Sequence, residues 1–364
     1  MPEAYGAAIA PMAARTHISA PALRIGFVAL ADCAPLVVAQ ERGLFSAAGL
    51  RVELHREVGW ATIRDKIIYG ELDAAQAPAG LLVAANCGIG CIPTPCVTAL
   101  ILNLHGNGIT LSMSLRREGV EDGPSLAAHA RSREEPLTFG VVHSLSSHHI
   151  LLRQWLRKAG LHPERDVRIV VVPPAQIHRH LAAGNLDGFC VGEPWNSLAV
   201  LKRTGWCVAT SPDLAPGHPE KVLLVTESFT KRRSSEHRLL LAALQEACAY
   251  CELPEHRDAI ADLLSADRFV ATSPEALRRS LSGPFAYGDG RTCEAAGLHI
   301  FSGDRCNEPS GDKLRWLLHG LQSTEIVPAG TLPELSESAR WFRSDLYRDA
   351  RSFAAATTIH PNAS

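Results

Sequence analysis

From Leu23 onward the chain alternates two hydrophobic rhythms in a fixed order. Leu23-Arg24-Ile25-Gly26-Phe27-Val28 is a short apolar run, which predicts a buried strand. Apolar spacing over residues 36–45 then predicts a helix, with Pro35 suited to its first turn and Asp32 or Cys33 to its cap. Residues 51–55 alternate as a second strand. Residues 60–69 form a second helical pattern with Arg64, Asp65 and Lys66 on its wet face, and Gly70-Glu71-Leu72-Asp73 closes it before a third strand begins at Ala74.

The same order recurs at an offset of 114 residues, where Gly26, Gly70 and Asp73 match Gly140, Gly184 and Asp187. Strands are expected over residues 137–142, over 167–172 and from Gly188. Helices are expected over 148–159 and 175–183, the first after the polar turn His143-Ser144-Leu145-Ser146-Ser147. The fold class that follows is α/β: two similar lobes, each a mostly parallel sheet with helices on its faces. Ligands of such sheets lie beyond the carboxyl ends of the strands, so two facing lobes make a cleft. The first helix of each lobe would aim its N–H groups into it and favour an anion.

Residues 188–196, Gly-Phe-Cys-Val-Gly-Glu-Pro-Trp-Asn, read as a buried strand ending in a tight loop, with Gly192 open to close approach. Beyond residue 225 the pattern turns helical, over 234–250, 256–264, 274–281 and 312–321. No linker rich in Pro or Ser separates the lobes. Two crossing segments are expected instead, near 110–114 and 209–214. The expected division is a flexible leader 1–22, lobe I from 23–111 plus 213–350, lobe II from 112–212, and a loose tail 351–364.

Composition narrows the function. The 364 residues are 46% hydrophobic and 20% charged with a net charge of −2. That is an ordinary globular balance without the basic footprint of a nucleic-acid binder. No apolar stretch is long enough to insert in a membrane. The Ala-rich leader carries Glu3 where a secretory signal has basic residues, and Pro11 interrupts it, which favours a cytoplasmic protein. The ten cysteines sit mostly in apolar runs. Cys248 and Cys251 form a C-x-x-C in a helical pattern without a second ligand pair, so no metal site is assigned. There is no G-x-S-x-G, H-E-x-x-H or phosphate-loop lysine, and no catalytic constellation or cofactor site emerges.

Several stretches in series carry a resemblance. They are Asp32 to Leu36, Trp60 to Lys66, Gly70 to Ala75, Leu102 to Thr110, Gly188 to Asn196, and His218-Pro219-Glu220-Lys221. Together they resemble the nitrate/bicarbonate-binding proteins of the NrtA kind, and among these most of all the cytoplasmic NasS-type nitrate sensors. The resemblance implies a two-lobed, type II periplasmic-binding-protein fold with an oxyanion in the cleft. Carried over position by position, it implies Trp60, Asn107, His148, Gly192 and Lys221 as ligand contacts. The side chains suit a planar anion that needs several weak donors and one charge: an indole N–H, an amide, an imidazole at a helix start, a backbone N–H and an ammonium. Bicarbonate binders of the family carry an acid where Lys221 stands, so nitrate or nitrite is implied. The implied role is a sensor that controls an RNA-binding antitermination regulator without itself touching nucleic acid. The alternatives are the solute receptor of an ABC nitrate importer and a pyrimidine-precursor synthase on the same fold. Glu193, beside Gly192, is expected to turn away from the anion, toward the hinge or an Arg.

Overall fold

The computed structural model of the chain describes residues 21–356. All of the expected leader but Pro21 and Ala22 lies outside that span, as does the expected tail from residue 357 on. The strands that position the cleft are, in chain order, β1 (Leu23–Val28), β2 (Val52–Glu57), β3 (Ala74–Pro78), β4 (Cys96–His105), β5 (Asn107–Ser112), β6 (Leu137–Val141), β7 (Val167–Val171), β8 (Gly188–Gly192), β9 (Gly205–Thr210) and β10 (Pro219–Thr226).

They form two sheets of related order. The six-stranded sheet runs β4-β10-β3-β1-β2, with the short strand His299–Ile300 outside β4. The five-stranded sheet runs β7-β6-β8-β5-β9. In the first, β1 lies parallel between β2 and β3, and β10 is antiparallel to β3 and β4. In the second, β6 lies parallel between β7 and β8, and β5 is antiparallel to β8 and β9.

The repeated residues have a common cause. A Cβ on Gly26 would lie 2.5 Å from Leu72 Cδ1, and one on Gly140 would lie 2.9 Å from Leu186 Cδ1. Each Gly thus admits the leucine of its own G-x-L-D turn against the sheet. Asp73 accepts from the Arg24 N–H at 2.9 Å, as Asp187 does from the Thr138 N–H at 2.7 Å. Gly70 and Gly184 both adopt left-handed backbone, at φ 73° and 74°, where the helix turns into the next strand.

Two limits differ from expectation. β5 pairs in the five-stranded sheet, so the chain first crosses between lobes at Gly106, earlier than residues 110–114. Residues 96–112 are buried throughout, across this one-residue break between strands, so hydrophobicity alone reads them as continuous. The return lies between Thr210 and Pro219. The final helix, Ser344–Ala356, extends into the stretch expected to be loose, because Tyr347 and Ala350 are buried. The remaining helices lie close to expectation: Ser234–Glu252, Pro254–Leu264, Pro274–Leu281 and Gly311–Ser323. Cys248 and Cys251 are buried free thiols within the first of these, and among the described residues no cluster of side chains has metal-binding geometry.

Candidate anion-binding site

Trp60, Asn107, His148 and Lys221 are all buried, at 1% exposure for the tryptophan and 0% for the others. They come from four separate places. Trp60 opens the helix Trp60–Ile68 of the first lobe. Asn107 and Gly192 face each other across the β5–β8 ladder. His148 stands in the first turn of the helix Ser147–Lys158, whose N-cap, Ser146, accepts from the His149 N–H at 3.3 Å. Lys221 lies on β10, with its ammonium 5.4 Å from the Trp60 ring centroid.

At the centre is a residue that sequence reasoning did not select. Glu220 is wholly buried, and donors surround its carboxylate. Oε1 lies 2.6 Å from Lys221 Nζ and 3.1 Å from His148 Nε2. Oε2 accepts from Asn107 Nδ2 at 2.6 Å and from the Ser147 hydroxyl, and lies 3.3 Å from His218 Nε2. The His148 approach is off the line of an ideal hydrogen bond and is an electrostatic contact of ring nitrogen with carboxylate. Regular strand alternation would aim Glu220 and Lys221 at opposite faces. The ladder between β10 and β4 is irregular at Pro219/Lys221 and Lys221/Val222, and there both side chains reach one cluster.

Asp32 completes the charge pattern. Read from sequence as a possible helix cap, it makes no cap bond at either helical turn beside it. Its carboxylate instead accepts from Gln76 Nε2 and lies 2.8 Å from Lys221 Nζ as an ion pair. Gln76 is held in turn by the Val28 N–H at 3.2 Å. Lys221 therefore has two internal counter-ions, and these neighbours hold its pKa above the ordinary lysine value although burial alone would depress it. Burial pushes Asp32 up, with Lys221 opposing. Glu220 is held well below the carboxylate range despite its burial, because Lys221 and His148 face it. His148 is pushed below the ordinary imidazole value, chiefly by burial, with the Glu220 charge opposing.

Several polar atoms of this cluster have no protein partner among the described residues: Trp60 Nε1, His148 Nδ1 and Asn107 Oδ1. Buried polar atoms are rarely left so, and here three of them come from residues expected to face a ligand. Gly192 lies against the same group: a Cβ there would sit 3.4 Å from Asn107 Oδ1 and 3.6 Å from Asp32 Oδ2. Glu193 turns to its own helix. Its carboxylate is buried and accepts from the Ser197 N–H at 3.2 Å, and no ion pair to it is found among the described residues, so the expected Arg partner is not there.

The lobes meet beside the cluster. The Ala31 N–H donates to Glu193 O at 2.8 Å, and Trp195 Nε1 donates to Ala29 O at 3.0 Å. A groove of about 560 Å³ runs between the lobes, lined by Val28, Arg56 and Val58 on one side and by His178, Trp195 and Lys202 on the other. A second groove of about 870 Å³, along Arg24, Asp73 and Arg233, lies on the outside of the first lobe away from the cluster, so cavity size does not mark the site. Among the described residues no helix is long and apolar enough to cross a membrane.

This architecture, two α/β lobes closed over a buried polar cluster, is that of the periplasmic-binding-protein-like folds. The crystal structure of the periplasmic nitrate-binding protein NrtA from Synechocystis superposes with a TM-score of 0.85 at 26% identity, covering 93% of this chain and 89% of that one. The alkanesulfonate-binding protein SsuA from Xanthomonas axonopodis shares the fold, with a TM-score of 0.65 at 17% identity over 86% and 96% of the two chains. The chain belongs to the NMT1-like family, which it matches over residues 17–265. The nitrate/nitrite binding protein NrtA of Synechococcus elongatus is 32% identical over 90% of this chain and 76% of its own length. The bicarbonate transport ATP-binding protein CmpC of Synechococcus elongatus is 40% identical over 84% of this chain, and the nitrate import ATP-binding protein NrtC of Synechocystis is 39% identical over 81%. The chain spans about half the length of these two ATP-binding relatives, 46% and 45% respectively.

Proposed function

We propose that the chain binds a small planar oxyanion, nitrate or nitrite, between its lobes, with Trp60, Asn107, His148, Gly192 and Lys221 around it. The observation that carries this reading is the buried cluster in which Trp60 and His148 keep unpartnered ring nitrogens next to a lysine. Nitrate is favoured over bicarbonate because Glu220, one of the two carboxylates beside Lys221, is already saturated. A carboxylate offers about four lone-pair positions, and Glu220 faces Lys221, His148, Asn107, Ser147 and His218. It has none left for a bicarbonate hydroxyl. Asn107 Oδ1 and Asp32 Oδ2 are the acceptors that would suit such a hydroxyl, and relatives named for bicarbonate match as well as those named for nitrate. Calorimetric titration with nitrate, nitrite and bicarbonate in parallel decides the point. Binding of bicarbonate alone would overturn the nitrate reading.

The role proposed is that of a cytoplasmic sensor controlling an RNA-binding antitermination regulator. The half-length match to ATP-binding proteins supports an anion-binding unit of the kind that also stands beside other domains. Similarity to NrtA over three quarters of that protein supports the second reading, a receptor for an ABC importer. Linkage separates them: saturating regulator must weaken nitrate binding by the factor by which nitrate weakens regulator binding. Unchanged affinity, or a cleaved product in the periplasm, would sink the sensor role.

A further inference from the structure

We infer that nitrate enters this site together with one proton, which His148 carries between the anion and Glu220. The inference rests on the oxyanion reading above and adds a positioning role for Glu220. A neutral imidazole has one N–H and one lone pair. Nε2 of His148 lies 3.1 Å from Glu220 Oε1, where a lone pair would face a carboxylate charge, so the single hydrogen sits on Nε2. Nδ1 then carries the lone pair, and it has no partner among the described residues. A nitrate oxygen has only lone pairs to offer, so it is repelled there until Nδ1 is protonated as well. The imidazolium then keeps its charge against Glu220 on the Nε2 side and donates from Nδ1 to the anion.

The charges around the cluster demand the same step. Asp32 and Glu220 are acids, and Lys221 is the one ammonium in contact with both. His218 faces Glu220 from the approach to β10, while His105 and His299 stand further out and are held near 4 and near 3 by burial, so they stay neutral. The Cys190 thiol, pushed far up by burial, is neutral too. Nitrate alone would add a further negative charge to a buried site whose acids already outnumber its ammonium. One proton taken from solvent onto His148 Nδ1 cancels that addition, and nothing is oxidised or reduced. The positive end of the helix Ser147–Lys158 opposes an imidazolium. The Glu220 carboxylate, which reaches Ser147 and His148 in that first turn from β10, offsets it, which is why the carboxylate belongs to the mechanism and not only to the fold.

The sign of the pH effect follows. The ligand-free His148 lies below its ordinary value of 6.5, and bound nitrate raises it. Nitrate affinity is therefore highest at low pH and falls about tenfold per pH unit between the free and bound values. The test is calorimetry of the wild-type protein with sodium nitrate at pH 7.5 in two amine buffers of different ionisation heat, repeated with Glu220→Gln. The expected result is uptake of about one proton per nitrate by the wild type. Glu220→Gln should show no uptake and a flat pH profile, since a Gln amide can donate to Nε2 and leave a neutral Nδ1–H for the anion. Wild-type binding without proton uptake overturns the inference, and that arm stands even if the variant fails to fold. Uptake that persists unchanged in a folded Glu220→Gln overturns the role of Glu220. Absence of any nitrate or nitrite binding overturns the oxyanion reading itself.

Discussion

At the scale of single residues, the cluster separates groups that hold the fold from groups left to a ligand. The Trp60 indole N–H donates to no described residue, although its ring is buried. Trp60→Phe keeps an aromatic ring and removes the donor. Nitrate binding should weaken by roughly 1.5–3 kcal/mol, the range for a hydrogen bond to a charged group, with the smaller side chain also lowering the melting temperature of the ligand-free protein. Glu193 makes the opposite case. Burial pushes its pKa from 4.5 up to about 7, with contacts to Ser197 and Asn196 opposing this. Its folded value lies above its unfolded one, so the folded state holds an extra proton across that window, and stability falls as pH rises through it. Thermal melts between pH 4.5 and 8 should show this loss, at most roughly 3 kcal/mol, and Glu193→Gln should remove most of it. An equal slope in wild type and variant would mean that another group titrates.

Among elements, the decisive contact is between the helix Ala79–Cys87 of the first lobe and the turn that leads into Ser147–Lys158 of the second. A Cβ on Gly80 would lie 1.6 Å from Leu145 O, which is backbone and cannot step aside. Gly80→Ala should therefore hold the lobes apart while leaving each sheet intact. Small-angle scattering should give a larger radius for the variant, and nitrate affinity should fall by about 1–3 kcal/mol as in other overpacked contacts. A wild-type radius with wild-type affinity would show that the turn can move. Strand and helix positions were legible from hydrophobic spacing because each repeat unit sets buried apolar strands against helices that bury one face. Glu220 was not, since alternation along β10 sends it away from Lys221, and the irregular pairing that brings it back is a property of β4 and β10 together.

For the whole molecule, closure is held by backbone and side-chain bonds on both sides of the cleft, Ala31 to Glu193, Ala29 to Trp195, and Glu220 to Ser147. A ligand bound between the lobes stabilises only the folded, closed form. Nitrate at a hundred times its Kd should raise the unfolding free energy by about 2.7 kcal/mol, read as an upward shift in melting temperature. No shift at concentrations that saturate calorimetric binding would mean that the anion binds the unfolded chain equally well, which a site built from both lobes does not allow.

The sequence by itself determined the repeated α/β plan, the glycines and aspartates that recur with it, and the candidate contacts that come to lie in one place. Those are local matters: each follows from which side chains a strand or helix must bury, and from where the backbone must turn. Only the tertiary structure decided that β5 crosses to the second sheet at Gly106, that Asp32 pairs with Lys221 rather than capping a helix, and that Glu220 sits among five donors. The reason is physical. A buried charge is stable only where its partners converge, and those partners come from separate segments of the chain, Ser147 and His148 reaching Glu220 only when the lobes close.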